Sequence, residues 1–163
     1  MNPHSVLVVV AHPDDESLWA AGYLMDNPGT HVLCCSIPFK DPERCRDFFD
    51  ACHLLGAHGF FAGQLARAGK IYTDAAVQIA YHYDSIITHN HLGEYGHPAH
   101  IAVHLAMKSL NRPMRTFGYG IVADGNPVSD FERKRAAIEC YHSRPNAFAN
   151  QSKKFDLTVE AFL

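Results

Sequence analysis

The sequence predicts a single α/β domain over residues 1–163, with a doubly wound, mostly parallel sheet of Rossmann-like topology. Three observations carry that prediction. Val6-Leu7-Val8-Val9-Val10 is β-branched, uncharged and apolar on both faces, the pattern of a central parallel strand covered by helices on either side. Short apolar runs of this kind alternate along the chain with amphipathic stretches of helical length. The polar, histidine-rich segments fall just after the apolar runs, where a parallel sheet opens its carboxyl edge to ligands.

Taken in order, the first strand runs straight into Ala11-His12-Pro13-Asp14-Asp15-Glu16, and Leu18, Ala21, Gly22 and Met25 then recur at helical spacing, predicting a helix from about Glu16 to Asp26. Asn27-Pro28-Gly29 marks a turn before a second buried strand, His31 to Ile37. Asp41 caps the next helix, Pro42 suits its first position and Gly56 the position past its end. Cys45, Phe48, Phe49, Cys52 and Leu55 form its apolar stripe. Phe60-Phe61 belongs to a short third strand, Gln64 to Tyr72 reads as a loop, and Thr73 can cap a helix through Val77, Ala80 and Tyr81. A strand is expected at Asp84 to Thr88, a helix opened by Pro98 to about Leu110, and a strand at Thr116 to Val122. Ser129-Asp130-Phe131-Glu132 is a capping-box pattern opening a helix to about Tyr141. Phe155, Leu157, Val159 and Ala161 alternate as an edge strand.

Composition narrows the class of function. Hydrophobic content of 47% with 19% charged residues is that of a folded globular domain, which excludes disorder. A net charge of −3, with dispersed basic residues, gives no electrostatic case for nucleic acid or an anionic membrane. The five cysteines are odd in number and lack a C-x-x-C, so they read as buried thiols of a reducing compartment. With no signal-peptide pattern and no run near the ~18 apolar residues of a membrane span, a cytoplasmic protein acting on a small molecule is expected, its oligomeric state left open.

The chemistry lies in three polar clusters at strand exits: His12-Asp14-Asp15 after the first, Lys40 and Arg44 after the second, and His89 to His100 after the strand at Ile86-Ile87. Topology should bring them to one edge. The inventory suits a catalytic zinc site, with three ligands drawn from imidazole and carboxylate and one position left for water. His12 and Asp15 can supply two of the ligands across a turn, and the third comes from the other segment, where His97 and His100 share a face and His104 can extend it. A spare carboxylate beside the ion, Asp14, could take a proton from the attacking water. Neither G-x-G-x-x-G nor G-x-x-x-x-G-K-[ST] occurs, which counts against a nucleotide-binding module; a metal-binding protein without turnover is the other alternative.

Ala11-His12-Pro13-Asp14-Asp15-Glu16, followed by Thr88-His89-Asn90 and Gly93-Glu94-Tyr95-Gly96-His97-Pro98-Ala99-His100, resembles the PIG-L/LmbE-like zinc N-deacetylase family. The resemblance implies an LmbE-like fold and hydrolysis of the N-acetyl group of an N-acetylglucosaminyl-type conjugate. It implies His12, Asp15 and His100 as ligands of zinc (ferrous iron fits the same donors). Asp14 becomes the general base, protonated His97 the group that steadies the oxyanion, and Arg44 a contact to the sugar. His89 and His91 are expected to hold their loop by backbone hydrogen bonds, and His104 to pack. The chain departs from the family pattern at Ala99, where an aspartate is usual, and at Arg144, where a glutamine is usual. It also lacks the family's additional acidic sugar-binding residue between Phe61 and Thr73.

Overall fold

In a computed structural model, residues 5–36, 41–63, 72–121, 125–144 and 146–163 are described. The central feature is a five-stranded parallel sheet in the order β3-β2-β1-β4-β5. Its strands are β1 (Val6–Val10), β2 (His31–Cys34), β3 (His58–Phe61), β4 (Ser85–Thr88) and β5 (Met114–Thr116). All five residues of β1 are buried, as a strand with neighbours on both edges and helices on both faces requires. Its alternate side chains divide the core. Val6, Val8 and Val10 face α1 (Asp15–Trp19), α2 (Ala21–Asp26), α3 (Pro42–Leu54) and α7 (Phe131–Glu139), whereas Leu7, Val9 and Ala11 face α4 (Thr73–Ala80) and α6 (Pro98–Lys108). The sheet is therefore doubly wound, as expected, and strand order reverses at β1.

Several expected elements differ in detail. The helix from Glu16 to Asp26 is two helices, broken at Ala20, whose backbone (φ −129°, ψ 5°) leaves the helical region. The break exposes a fresh helix start, and the Glu160 carboxylate accepts the Gly22 N–H there at 3.0 and 3.1 Å. A distant acceptor thus offsets the lost helical bonds. Tyr72, not Thr73, holds the N-cap of α4. Asp130, not Ser129, caps α7 by accepting the Arg133 N–H at 3.0 Å, while the Ser129 hydroxyl bonds Asp26 instead. The second strand ends at Cys34, and Ile37, Lys40, residues 64–71 of the expected loop and Val122 lie outside the described residues.

The strand expected at Thr116 begins earlier, at Met114, and β5 ends where the expected one would start. Beyond it, Phe117 bridges to Phe162, and Gly118 donates to the Ala161 carbonyl at 2.7 Å. The tail meets the main sheet only at its end, where Leu163 and Thr116 of β5 exchange two backbone hydrogen bonds at 2.9 Å. Helix α8 (Ala147–Ser152) precedes it, and β7 (Val159–Glu160) pairs antiparallel with β6 (Asn126–Pro127) in a separate two-stranded sheet. Its alternating pattern instead aims Phe155 at Trp19 and Tyr119, and buries Leu157 in the core. A buried ion pair ties this region down: Lys134 on α7, fully buried, reaches Glu160 at 2.7 Å.

Candidate functional site

The carboxyl ends of β1 and β4 are neighbours in the sheet, so the segments that leave them, residues 11–16 and 89–100, meet beyond its edge. Pro13-Asp14 turns the chain sharply into α1, and Asp14 sits at φ 112°, a region that few side chains tolerate. Three bonds hold it there: Ser17 and Leu18 donate to its carbonyl, and the Glu16 carboxylate accepts its N–H at 3.0 Å. Glu16 is itself completely buried and accepts from the Ser17 hydroxyl at 2.7 Å and from Tyr141 at 2.5 Å. Burial pushes its pKa up to about 7 despite those bonds. On the other side, α5 (Gly93–Gly96) is a kinked turn in which Glu94 takes φ 59°. Among the described residues, two of the four non-glycine residues with positive φ are thus carboxylates of this site, a placement that marks stored strain.

His12, Asp15, His89, His97 and His100 all come together here. Candidate ligand atoms of His12, His97 and His100 lie within 4.8 Å of one another, as do those of Asp15, His89 and His100, so His100 is common to both groups. Hydrogen bonding decides which lone pairs remain free. His89 receives the Ala11 N–H on Nε2 at 2.9 Å and bonds Glu94 through Nδ1 at 2.8 Å, which occupies both nitrogens. His97 Nδ1 accepts the Ala99 N–H at 3.2 Å, which places its proton on Nε2. His100 bonds the same Glu94 oxygen through Nδ1 at 2.6 Å, and its Nε2, buried, has no partner among the described residues. An imidazole with its Nδ1–H on a carboxylate and its Nε2 lone pair unused is the usual preparation of a metal ligand.

Asp15 Oδ2 lies 3.4 Å from His12 Nδ1 and 3.4 Å from His100 Nε2. Ligands at ~2.0–2.1 Å from a tetrahedral ion stand roughly 3.3–3.4 Å apart, the spacing of these two pairs. Burial alone would raise the Asp15 pKa, but the imidazoles of His100, His12 and His89 outweigh it and hold the carboxyl well below its usual range. For His89, burial opposes charging, whereas the neighbouring Asp15 and Glu94 carboxylates favour it. The Ala11 N–H aimed at Nε2 requires a lone pair there, so that fixed backbone donor selects the neutral ring.

Asp14 stands beside this cluster with its side chain 15% exposed, and Arg44 from α3 donates from Nη2 to its Oδ2 at 2.9 Å and to the Pro13 carbonyl at 2.6 Å. Arg144 approaches the same oxygen at 3.4 Å. Burial and Asp15 push the Asp14 pKa up while Arg44 and Arg144 pull it down, and the net shift is upward. A cavity of about 520 Å³ opens over Asp14, His12, Asp15 and His97, with Arg44, Arg144, Lys154, Tyr95, Tyr119 and Phe155 also at its wall.

Sequence reasoning needs correcting at three points. His97 is not protonated: the Ala99 N–H occupies Nδ1, and burial together with His100 and His12 lowers its pKa. His89 does more than hold its loop, since its ring lies stacked on that of His100 with centroids 3.9 Å apart. Glu94 was missed. Glu94, six residues earlier in the chain than His100, supplies the carboxylate that holds its ring, and its position inside the second motif was the available signal. Expectation and structure agree on His104, which packs against the loop with Nδ1 on the His89 carbonyl.

Fold and site together define a doubly wound α/β architecture with a His/Asp cluster at its switch point. Two solved structures carry the same fold. GalB, the 4-carboxy-2-hydroxymuconate hydratase from Pseudomonas putida KT2440, superposes with a TM-score of 0.70 at 15% identity, over 96% of this chain and 94% of that one. The conserved protein TT1542 from Thermus thermophilus gives 0.65 at 18% identity, over 98% and 93%. Among curated proteins, the uncharacterized protein L374 of Acanthamoeba polyphaga mimivirus is 24% identical over 152 residues, an alignment covering 77% of this chain and 64% of that protein. No protein-family model matches. Among the described residues, no helix is long and apolar enough to cross a membrane.

Proposed function

We propose that this protein is a metal-dependent hydrolase that removes the N-acetyl or another N-acyl group from an amino-sugar conjugate of the N-acetylglucosaminyl type. The observation that carries the proposal is the unused His100 Nε2, buried beside Asp15 with its ring held by Glu94, next to the strained Asp14. His12, Asp15 and His100 would hold the ion, zinc or ferrous iron. Bound there, it would acidify water and polarise the amide carbonyl. Asp14 accepts the proton of the attacking water, and Arg44 keeps its carboxylate aimed at the cavity. Neutral His97 donates from Nε2 to the oxyanion that develops at the carbonyl oxygen. As the C–N bond breaks, Asp14 returns its proton to the departing nitrogen, leaving a carboxylate and a free amine.

Likeness to a hydratase favours a second reaction, addition of water across a conjugated C=C bond, which needs the same activated water and the same base. One experiment separates them. The zinc-loaded protein is offered N-acetylglucosaminyl compounds and conjugated hydroxydienoates, with acetate release and loss of ultraviolet absorbance measured. Chelator-sensitive acetate release is expected. Asp14→Asn should keep the metal and lose turnover by about 10²–10⁴-fold, and undiminished activity of that variant refutes the assignment of the base.

A further inference from the structure

The cavity over the candidate centre is lined by more positive than negative charge. Arg44, Arg144 and Lys154 face Asp14 and Asp15 across it, before any metal adds its own charge. The three cations are not equivalent. Arg44 is the most committed: its side chain is 12% exposed and its Nη2 bonds both Pro13 and Asp14, while its buried Nε has no hydrogen-bond partner among the described residues. Arg144 is 48% exposed, and among the described residues its side chain approaches an acceptor only at Asp14, at 3.4 Å, longer than a good hydrogen bond. Lys154 is exposed, and among the described residues its ammonium makes no ion pair or hydrogen bond.

Arg144 is also held in place from below. Buried Asp47, on α3, accepts the Ser143 N–H at 3.3 Å and its hydroxyl at 3.1 Å, and the Arg144 N–H closes a turn onto the Tyr141 carbonyl at 2.8 Å. Tyr141 is in turn anchored on Glu16. A guanidinium presented from a braced turn loses little freedom when it takes a ligand. Lys154 is placed by its own main chain, whose carbonyl accepts from Tyr119, a residue of the same cavity wall.

We propose that Arg144 and Lys154 form a subsite for an anionic group of the substrate, a carboxylate or a phosphate, lying beside the reacting centre at Asp14. Tyr95, Tyr119 and Phe155 supply the flat apolar wall along which the rest of the molecule lies. The subsite rests on the proposed function for its neighbouring chemistry, but its ligand recognition can be measured without turnover.

The test is calorimetric titration of the full-length, zinc-loaded chain at low ionic strength with inorganic phosphate, with succinate and with neutral N-acetylglucosamine. At least one anion should bind saturably, and Lys154→Gln and Arg144→Gln should each weaken it about tenfold. Added chloride should weaken it further, and metal content should match the parent. Arg144→Lys should retain phosphate better than succinate, because the forked pairing with a carboxylate is lost while the charge remains. Preference for phosphate or for succinate identifies the source of the negative charge. Unchanged anion affinity in both glutamine variants overturns the inference, since the anion then sits on the metal, and so does the absence of saturable binding by either anion. A chain that takes up no zinc yet binds anions through Arg144 and Lys154 would leave this subsite standing and remove the proposed hydrolase.

Discussion

Glu94→Gln should weaken zinc binding by about 10–100-fold, because the carboxylate is matched to three donors that no amide can satisfy. Glu94 Oε2 takes the Nδ1 of His89 at 2.8 Å and of His100 at 2.6 Å, while Oε1 takes the Asn90 N–H at 2.9 Å. If the glutamine oxygen faces the rings, its NH₂ meets the Asn90 N–H and one buried donor is stranded. If the NH₂ faces the rings, each imidazole must present a lone pair at Nδ1 and carry its proton on Nε2. For His100 that proton occupies the lone pair offered to the ion, and for His89 it opposes the Ala11 N–H. Either arrangement costs about 1–3 kcal/mol, the loss attached to one unsatisfied buried group. Competition against a chromophoric zinc chelator reads the affinity, and urea denaturation of the metal-free chain reads the stability. Zinc affinity within about twofold of the parent, in a folded variant, would refute the role given to Glu94.

Other outcomes follow from buried charge and close packing. Glu16 has a folded pKa of about 7 against 4.5 for the free side chain, so the folded state holds its proton longer. In metal-free protein its contribution to stability is therefore absent below pH 4.5, becomes unfavourable as pH rises from 4.5 to 7, and levels off above at about 3 kcal/mol. Urea midpoints across that window should fall more steeply for the parent than for Glu16→Gln, and parallel curves would contradict this. Lys134→Ala leaves the Glu160 carboxylate without its buried cation and should destabilise by about 3–5 kcal/mol. Lys134→Met combined with Glu160→Gln should recover much of that loss in the same denaturation assay. Gly120, at φ 79°, leaves no room for a Cβ, which would stand 2.5 Å from the Glu94 carbonyl oxygen. Gly120→Ala should therefore lower both thermal stability and zinc affinity, whereas a substitution at Gly96, where nothing lies within 4 Å, should meet only its own backbone strain.

Much of the fold was legible because burial writes itself into local composition. Val6–Val10 could only be a strand covered on both faces, and Asp41-Pro42 with Gly56 framed α3 almost to the residue. The less legible elements were those whose ends depend on partners far away in the chain. No local pattern shows that Glu160 will cap a helix at Gly22, splitting what reads as one helix into two. Nor does alternation between Phe155 and Ala161 say whether those residues extend the main sheet or pack around Trp19 and Tyr119.

The same division runs through the site. By themselves, the residues of the sequence determined that a carboxylate-rich strand exit and a histidine segment would share one edge, because a parallel sheet with crossover helices brings strand ends together. Which nitrogens carry protons was decided only by tertiary structure. The Ala11 N–H on His89, the Ala99 N–H on His97 and Glu94 across His89 and His100 together leave the lone pair of His100 Nε2 free. Spacing in a motif says that imidazoles can meet. A tautomer depends on the donor or acceptor a few ångströms from the ring, and that neighbour comes from wherever the folded backbone passes.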